Sequence, residues 1–311
     1  MNVLEPDDIN FSAYMRETEA RARVRPAREY IADMAEQIGR PRVIPGHPLP
    51  WGKVRSLFRF RPGEVTLWAG VNGHGKSLMT GMVALDLVAH RQRVCIASFE
   101  MKPVSTLGRM LRQWIGYPAD DEFAGHPEAN EALRDLYEQF GTATDRALWF
   151  YDQQGTVAAA QMVAVARYCA KELQMQHIFI DSLMKCVRGA DDYNGQKDFV
   201  DELTAIARDY GAHIHLVHHI RKLENELKKP DKTDVKGAGE ITDQVDNVLL
   251  VWRNKADAKS KKQDDPDAAL ICCKQRHGEW EGGVNLWFHR ASQQYSEAPG
   301  MEPINFSARA A

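Results

Sequence analysis

The sequence contains no apolar run long enough to cross a bilayer, and its N-terminus lacks the apolar core of a secretory signal. Several arginines near the N-terminus would suit an organellar transit peptide. Acidic residues such as Glu5, Asp7 and Asp8 are interspersed with them and argue against that interpretation. These absences lead us to expect a cytoplasmic protein with no membrane contact.

Cysteine is scarce, and the charge is nearly balanced. The five cysteines form no CxxC pair and lie largely in apolar runs, which favours reduced core thiols in a cytoplasmic protein. A zinc site built from Cys272, Cys273 and His277 is an alternative, but its spacing matches no common zinc pattern. The net charge of -3 gives no global signal for nucleic acid, so any such contact depends on a local basic patch.

Apolar strands alternate with helical segments from Val65 onward. We predict strands at 65–69, 93–99, 148–151, 177–181, 213–218, 247–252, 269–274 and 284–289. Helices are predicted at 76–90, 103–115, 127–140, 156–174 and 196–210. This alternation indicates the α/β class, with a mainly parallel sheet covered on both faces. The last two strands, joined across 276–283, are expected to form an antiparallel hairpin.

Three regions are predicted along the chain. Residues 1–48 are polar and then rich in proline, and helical spacing over 28–38 suggests a linker with one amphipathic helix. Residues 49–296 form the main domain, and 297–311 a flexible C-terminal tail. The pentapeptide Ile-Asn-Phe-Ser-Ala occurs at 9–13 and again at 304–308. This repeat is either a coincidence or a sign that both ends dock on equivalent pockets of neighbouring subunits.

Residues 70–77, Gly-Val-Asn-Gly-His-Gly-Lys-Ser, match the phosphate-binding motif GxxxxGK[ST] between a predicted strand and a predicted helix. In such a loop backbone N–H groups point at phosphate oxygens, and the helix N-terminus adds positive potential. Lys76 is expected to neutralise the β- and γ-phosphates of ATP or another NTP, and Ser77 to ligate Mg²⁺. The predicted nucleotide-binding residues of this loop are Gly70, Asn72, Gly73, His74, Gly75, Lys76, Ser77 and Leu78.

Two carboxylates at strand ends are expected to complete a site for nucleotide hydrolysis. Asp181 ends the apolar strand His-Ile-Phe-Ile-Asp, as expected of a second Mg²⁺ ligand. Ser182 follows it, which disfavours the AAA+ ATPases, where a catalytic glutamate usually comes directly after that aspartate. Glu100 follows the strand at 93–99 and would lie beside the ligand crevice, where it can activate water. By position alone, a solvated strand-end charge is an equally good interpretation of Glu100.

The order of these motifs resembles the DnaB-like replicative helicases, a RecA-fold family that includes phage helicase-primases and mitochondrial Twinkle. The resemblance covers about residues 50–295 and implies a RecA-like P-loop NTPase core. Five blocks carry it: 60–70 before the phosphate loop, Ser-Phe-Glu-Met at 98–101, Ile-Phe-Ile-Asp at 178–181, Leu-Val-His-His-Ile-Arg-Lys at 216–222, and 234–254.

The resemblance also assigns roles to single residues. His219 would sense the γ-phosphate, and a histidine there fits the phage and Twinkle branch better than the bacterial one. Arg276 would be an arginine finger with Lys274 as its companion, both acting on the neighbouring subunit's nucleotide. Arg253 and Phe288 match positions that flank the nucleotide base. Without the resemblance, Lys274 and Arg276 would be two exposed basic residues, and the histidines at 213–219 a polar decoration of a strand.

What the family implies is a homo-hexameric, Mg²⁺- and ATP-dependent helicase that moves 5′ to 3′ on single-stranded DNA. A primase, a polymerase or a helicase loader would be further partners, in a bacterial host cytoplasm if the gene is phage-borne. Two basic, glycine-broken segments, 185–197 and 221–239, are candidates for the DNA-binding loops, although such runs are usually solvated. The predicted DNA contacts are Lys197, Lys222, Lys228, Lys229, Lys232, Lys236 and Gly237.

Two other functions remain open from the sequence. A RecA-like recombination or repair ATPase would share the phosphate loop and Asp181, but the Ser-Phe-Glu-Met block and Lys-Gln-Arg at 274–276 argue against it. A nucleotide-gated DNA-binding scaffold or loader would bind nucleotide without rapid turnover.

Overall fold

The computed structural model describes residues 2–4, 27, 28, 31, 35, 45–118, 130–189, 191–220, 227–235, 238–256, 262 and 264–310. Its strands are β1 Asn2–Leu4, β2 His47–Pro48, β3 Arg59–Phe60, β4 Val65–Gly70, β5 Val94–Ser98, β6 Leu148–Tyr151, β7 His177–Asp181, β8 His213–His219, β9 Asn247–Arg253, β10 Ala268–Gln275, β11 Gly282–His289 and β12 Gln294–Ser296. Its helices are α1 Lys76–Ala89, α2 Pro103–Ile115, α3 Asn130–Thr144, α4 Ala159–Lys171, α5 Tyr193–Tyr210, α6 Ala238–Gln244 and α7 Phe306–Ala310.

One ten-stranded sheet organises the fold, in the order β1-β6-β5-β7-β8-β4-β9-β10-β11-β12. Every neighbouring pair from β1 to β9 is parallel, and the pairs from β9 to β12 are antiparallel. This arrangement confirms the predicted α/β class, the mainly parallel sheet and the antiparallel C-terminal hairpin. Strands β2 and β3 form a separate two-stranded sheet.

Both faces of the sheet are buried, because successive side chains of a strand point to opposite faces. In β4, Leu67 joins the core under α4 and α5, whereas Trp68 joins the core under α1, α2 and α3. Both side chains are fully buried. A strand that is apolar on both faces needs cover on both faces, so helices pack on either side of it.

The longer elements have the predicted type, and their ends differ from the prediction by a few residues. Elements without a readable period were missed: the strands β1, β2, β3 and β12 and the helices α6 and α7, all short. The predicted flexible tail at 297–311 is replaced over its last part by α7, whose Phe306 is fully buried. Of the predicted helix over 28–38, residues 28, 31 and 35 are helical and exposed, and the others lie outside the described residues.

The histidines of β8 take part in a buried polar network that sequence analysis did not anticipate. His213 Nδ1 donates to Arg61 O (2.7 Å), and its Nε2 lies 2.8 Å from Thr66 Oγ1. Trp68 Nε1 donates to His215 Nδ1 (3.2 Å), and His215 Nε2 lies 3.1 Å from His177 Nδ1. The sequence suggested that these histidines are only a polar decoration of the strand. In the structure they are neutral rings that form buried hydrogen bonds.

The zinc alternative is also not formed. Cys272 and Cys273 are successive strand residues, and His277 Nδ1 lies 2.7 Å from Glu64 Oε1. Within the described part of the chain, the cluster with metal-ligand spacing is instead His47, Asp86 and His90. No helix in the described ranges is both long and apolar enough to cross a membrane.

Candidate functional site

The phosphate loop joins β4 to α1, and two of its glycines are required by close contacts. Gly75 has φ +84°, and a Cβ there would lie 2.3 Å from Tyr295 Oη. A Cβ on Gly70 would lie 2.5 Å from Val251 O of the adjacent strand β9. The loop is therefore pressed against β9 on one side and β12 on the other. This packing leaves the remaining face of the phosphate loop open to a cavity.

Lys76 lies at the start of α1 and folds back over its own loop. Its Nζ donates to Gly70 O (2.9 Å) and to Val71 O (3.1 Å). Burial lowers the pKa of Lys76 to about 8, while the nearby carboxylates of Asp181 and Glu100 raise it in part. A bound polyphosphate would restore the charged form, because opposite charge at short range favours ionisation.

Ser77 and Asp181 meet on the floor of the cavity, as expected for a magnesium site. Ser77 Oγ donates to Asp181 Oδ2 over 2.6 Å. Burial raises the pKa of the Asp181 carboxyl, and the Ser77 hydrogen bond and the Lys76 charge lower it in part. A hydroxyl and a carboxylate side by side are hard oxygen ligands of the kind that Mg²⁺ prefers. These two residues would hold the ion beside the phosphates.

Strand register brings Glu100 and His219 to the same edge of the sheet as Asp181. Ser98 is level with Asp181, and Gly70 is level with His219. Glu100 follows Ser98 by two residues and is half exposed. Its Oε1 lies 3.5 Å from Lys185 Nζ, in the segment after β7. Sequence analysis had placed Lys185 in a candidate DNA loop and had not connected it with Glu100.

A single cavity of about 1100 Å³ collects these groups. The predicted residues that line it are Asn72, Gly73, Gly75, Lys76, Ser77, Leu78, Glu100, Asp181, His219, Arg253 and Phe288. His74 is buried behind the loop, and its Nδ1 accepts the Arg253 N–H over 3.1 Å. His74 therefore supports the loop from behind and fixes the position of Arg253.

Sequence analysis missed several other residues of this cavity. They are Arg109, Asn254, Ala256, Asp267, Arg290, Gln293 and Tyr295. Arg109 lies on α2, and the helical period of α2 does not show which of its polar side chains faces the sheet edge. Tyr295 belongs to β12, a strand too short to predict. The return of the C-terminal strands beside β9 brings Arg290, Gln293 and Tyr295 to the phosphate loop.

Lys274 and Arg276 lie at the opposite edge of the sheet. Gln275 is level with Asn247, and Asn247 with Thr66 at the start of β4, whereas the phosphate loop follows the end of β4. The two ends of β4 are about 17 Å apart at a rise of about 3.3 Å per residue. Neither basic residue lines the 1100 Å³ cavity. They belong with a different surface of the molecule.

The two basic residues differ in what they contact. Arg276 lines a second cavity of about 790 Å³, and its Nε lies 3.1 Å from Asp246 Oδ1. Lys274 Nζ donates to the backbone O atoms of Thr242, Asp243 and Val245 at 2.7–2.9 Å. Lys274 thus satisfies carbonyls at the C-terminus of α6. Arg276 also donates to Asp243 O and Gln244 O, each over 3.4 Å, but its side chain is exposed and lines the second cavity. Arg276 is therefore the better candidate for contact with another subunit.

Four of the predicted DNA-binding residues lie in the described part of the chain. Lys197 is exposed on α5, not in a loop, because that helix begins at Tyr193. Lys228 is exposed, and Lys229 Nζ donates to Asn285 Oδ1 (2.9 Å) and lies over the Trp252 ring. Lys232 Nζ lies 3.8 Å from Asp243 Oδ1.

The second candidate DNA loop is anchored to the end of β8. Ile220 and Val235 form a β-bridge, so the segment leaves the strand that carries His219 and returns to it. Lys222, Lys236 and Gly237 lie outside the described residues. Ile220 directly follows His219, which lines the cavity, and a link between nucleotide and DNA would require such a connection.

The chain is similar to known proteins in its sequence and in its fold. Residues 56–297 match the family model described as the DnaB-like helicase C-terminal domain. A solved structure that consists of an ATPase domain is similar with a TM-score of 0.73 at 18% identity, over 88% of this chain and 98% of that one. A second, "The Structure Of A DnaB-Like Replicative Helicase And Its Interactions With Primase", gives a TM-score of 0.69 at 18% identity, over 86% of this chain and 66% of that one.

Proposed function

Because the chain belongs to the DnaB-like helicase family, we propose that it is a ring-forming helicase that moves 5′ to 3′ on single-stranded DNA by hydrolysing Mg-ATP at subunit interfaces. The observation that carries this proposal is the position of Arg276, on the edge of the sheet opposite its own phosphate loop. An arginine placed there serves a nucleotide only if that nucleotide is bound by another copy. Head-to-tail contacts of this kind close into rings when the rotation between subunits closes.

Within one chain, the predicted residues at the cavity have separate roles in nucleotide binding and hydrolysis. The loop amides and Lys76 bind the β- and γ-phosphates. Ser77 and Asp181 would hold Mg²⁺, which when bound neutralises charge that develops on the phosphates. Glu100 orients the attacking water and accepts its proton. His219 lies level with Gly70 and would report loss of the γ-phosphate to the loop anchored at Ile220.

Two arginines compete with Arg276 for the role of the finger. Arg109 and Arg290 line the cavity of their own chain, so either can approach a phosphate without a partner. A mixing experiment separates the two cases. Lys76→Ala removes phosphate binding, and Arg276→Ala removes the finger. Each protein alone should hydrolyse ATP very slowly, because a finger contributes on the order of 10³-fold or more.

When the two variants are assembled together in equal amounts, about one quarter of interfaces join an intact loop to an intact Arg276. We expect ATPase activity to return to about that fraction of the wild-type rate. A mixture as inactive as its components would refute the action of Arg276 across the interface. An Arg276→Ala protein with wild-type turnover would assign the finger to Arg109 or Arg290.

Helicase activity and its direction are tested with DNA duplexes that have a single-stranded tail. Duplexes that carry only a 5′ tail or only a 3′ tail are offered with Mg-ATP. Unwinding of the first but not the second supports 5′ to 3′ movement. Glu100→Gln serves as the control, since it should bind nucleotide and DNA without unwinding. Nucleotide-dependent DNA binding by the wild type without any unwinding would favour a scaffold or loader, and strand exchange would favour a recombinase.

A further inference from the structure

The C-terminal helix α7 fills a pocket on the face of the sheet that carries α1. Phe306 is fully buried, and its ring stacks on Trp114 with centroids 6.3 Å apart and an interplanar angle of 19°. Phe140 of α3 lies on Trp114 at 5.7 Å. Phe306 is therefore the apolar anchor that holds the end of the chain against α1, α2 and α3.

Polar contacts fix the residues on either side of this anchor. Gln294 Nε2 donates to Ile304 O (2.9 Å), and Gln294 Oε1 accepts the Ile304 N–H (2.8 Å). Asn305 Oδ1 accepts the Ala308 N–H (2.9 Å) and so caps the helix. The pocket thus holds the backbone of Ile304 and the buried ring of Phe306, while Asn305 caps the helix that carries that ring.

One further contact lies just beyond the pentapeptide. Arg309 Nη1 forms an ion pair with Oδ1 of Asp86, a fully buried carboxylate of α1. His47 Nε2 lies 2.8 Å from the other oxygen of Asp86. We call the ion pair of Arg309 with Asp86 the ionic lock, since it holds residues 304–308, the resident segment of the pocket, in place.

The same five residues occur a second time in the chain. Residues 9–13 repeat Ile-Asn-Phe-Ser-Ala, and Tyr14 stands where the other copy has Arg309. At average residue usage, an internal five-residue identity is expected by chance in roughly one chain of this length in thirty. Each chain therefore carries two segments that meet the requirements of one pocket.

We propose that residues 9–13 of one copy of the chain bind in the Trp114 pocket of a second copy, in place of the resident residues 304–308. Both segments share the phenylalanine that the pocket buries, the isoleucine before it and the asparagine that caps the helix. Only the resident segment has Arg309 for the ion pair with Asp86, so it occupies the pocket in an isolated chain. Exchange would link neighbouring subunits and release the C-terminal helix for other contacts.

The most direct test uses a labelled peptide of residues 5–16 and full-length protein. Phe306→Ala removes the resident anchor and opens the pocket. We expect the peptide to bind this variant at least about tenfold more tightly than it binds the wild type. The matched control is the same peptide with Phe11→Ala, which should bind at least about tenfold more weakly. Equal binding of the two peptides, or equal binding to both proteins, would overturn the proposal.

A second variant covers the case in which Phe306→Ala does not fold. Arg309→Ala removes the ionic lock and leaves Trp114, Phe140 and Gln294 in place. Peptide binding to this variant should also exceed binding to the wild type, by a smaller factor. Binding that is no stronger than to the wild type would count against the proposal.

Assembly of the full chain gives an independent readout. By mass photometry, Phe11→Ala should weaken association and Phe306→Ala should strengthen it, whereas Glu17→Ala, outside the repeat, should resemble the wild type. Parallel losses in Phe11→Ala and Phe306→Ala would refute exchange, and so would association that Phe11→Ala leaves unchanged. Neither peptide binding nor assembly measures ATP hydrolysis or unwinding. Failure here with normal unwinding would reject only the exchange, and normal exchange without unwinding would reject only the helicase function.

Discussion

Three buried histidines should make this protein sensitive to mild acid. His177, His213 and His215 are all buried, and each ring is neutral in the network described above. Burial lowers the pKa of His213 to about 4, because the imidazolium would lose its water. The pKa values of His177 and His215 fall well below the ordinary range, chiefly through burial and further through the neighbouring histidines.

The sign of the effect follows from proton linkage. An unfolded histidine titrates near about 6.5, so below that pH the unfolded chain binds protons that the folded chain excludes. The stability is complete above about pH 6.5 and falls as the pH drops from there towards the folded value near 4. At pH 5 His213 alone costs about 2 kcal/mol, and His177 and His215 add to the loss in the same direction. Native proteins are typically stable by roughly 5–15 kcal/mol, so this loss is a substantial part of the total.

Urea unfolding followed by circular dichroism at pH 8 and pH 5 measures this loss. His213→Gln keeps a polar side chain but cannot titrate, so its loss between the two pH values should be about 2 kcal/mol smaller than that of the wild type. Thr66→Val is the matched control. It removes a hydrogen-bond partner of His213, so it should lower stability at both pH values and keep the pH difference. A His213→Gln protein with the full wild-type loss would refute the reasoning.

Two further predictions concern the nucleotide site. Lys185→Ala should raise ATP hydrolysis in the absence of DNA several-fold, because Glu100 then loses the ion pair that holds it. Lys197→Ala should leave that rate unchanged. An unaltered DNA-free rate in Lys185→Ala would show that the ion pair between Lys185 and Glu100 is unimportant. Because burial lowers the pKa of Lys76 to about 8 and phosphates restore its charge, nucleotide binding above about pH 8 should take up a proton. Calorimetry in buffers of different ionisation enthalpy measures this uptake, and its absence in the wild type, or its persistence in Lys76→Met, would contradict the assignment.

Most of the fold was predictable because its signals are local. The parallel strands are apolar on both faces and alternate with helices of regular period, so type and order are readable from neighbouring residues. The same holds for the phosphate loop, whose glycines and lysine are contiguous. Strand ends carry Asp181 and Glu100, and parallel pairing brings such ends to one edge.

Other parts of the site were not predictable, since they depend on contacts between distant segments. Tyr295 reaches Gly75 only because β12 pairs beside β11, and a strand of three residues has no period to read. Lys274 Nζ donates to carbonyls at the end of α6, and its neighbours in the sequence do not predict these contacts. Such bonds depend on which backbone groups are left unpaired, and sequence does not state that.

The sequence by itself determined the α/β architecture, the phosphate loop at 70–77 and the residues that complete its hydrolytic edge. Only the tertiary structure decided on which side of the molecule each basic residue lies. Arg276 follows an antiparallel strand, and that reversal carries it to the edge of the sheet away from its own nucleotide. Residues 304–308 likewise became a docked anchor only once α1, α2 and α3 had formed a pocket around Trp114. Local periodicity encodes strands and helices, whereas the direction of a distant strand and the shape of a pocket arise only when the segments pack together.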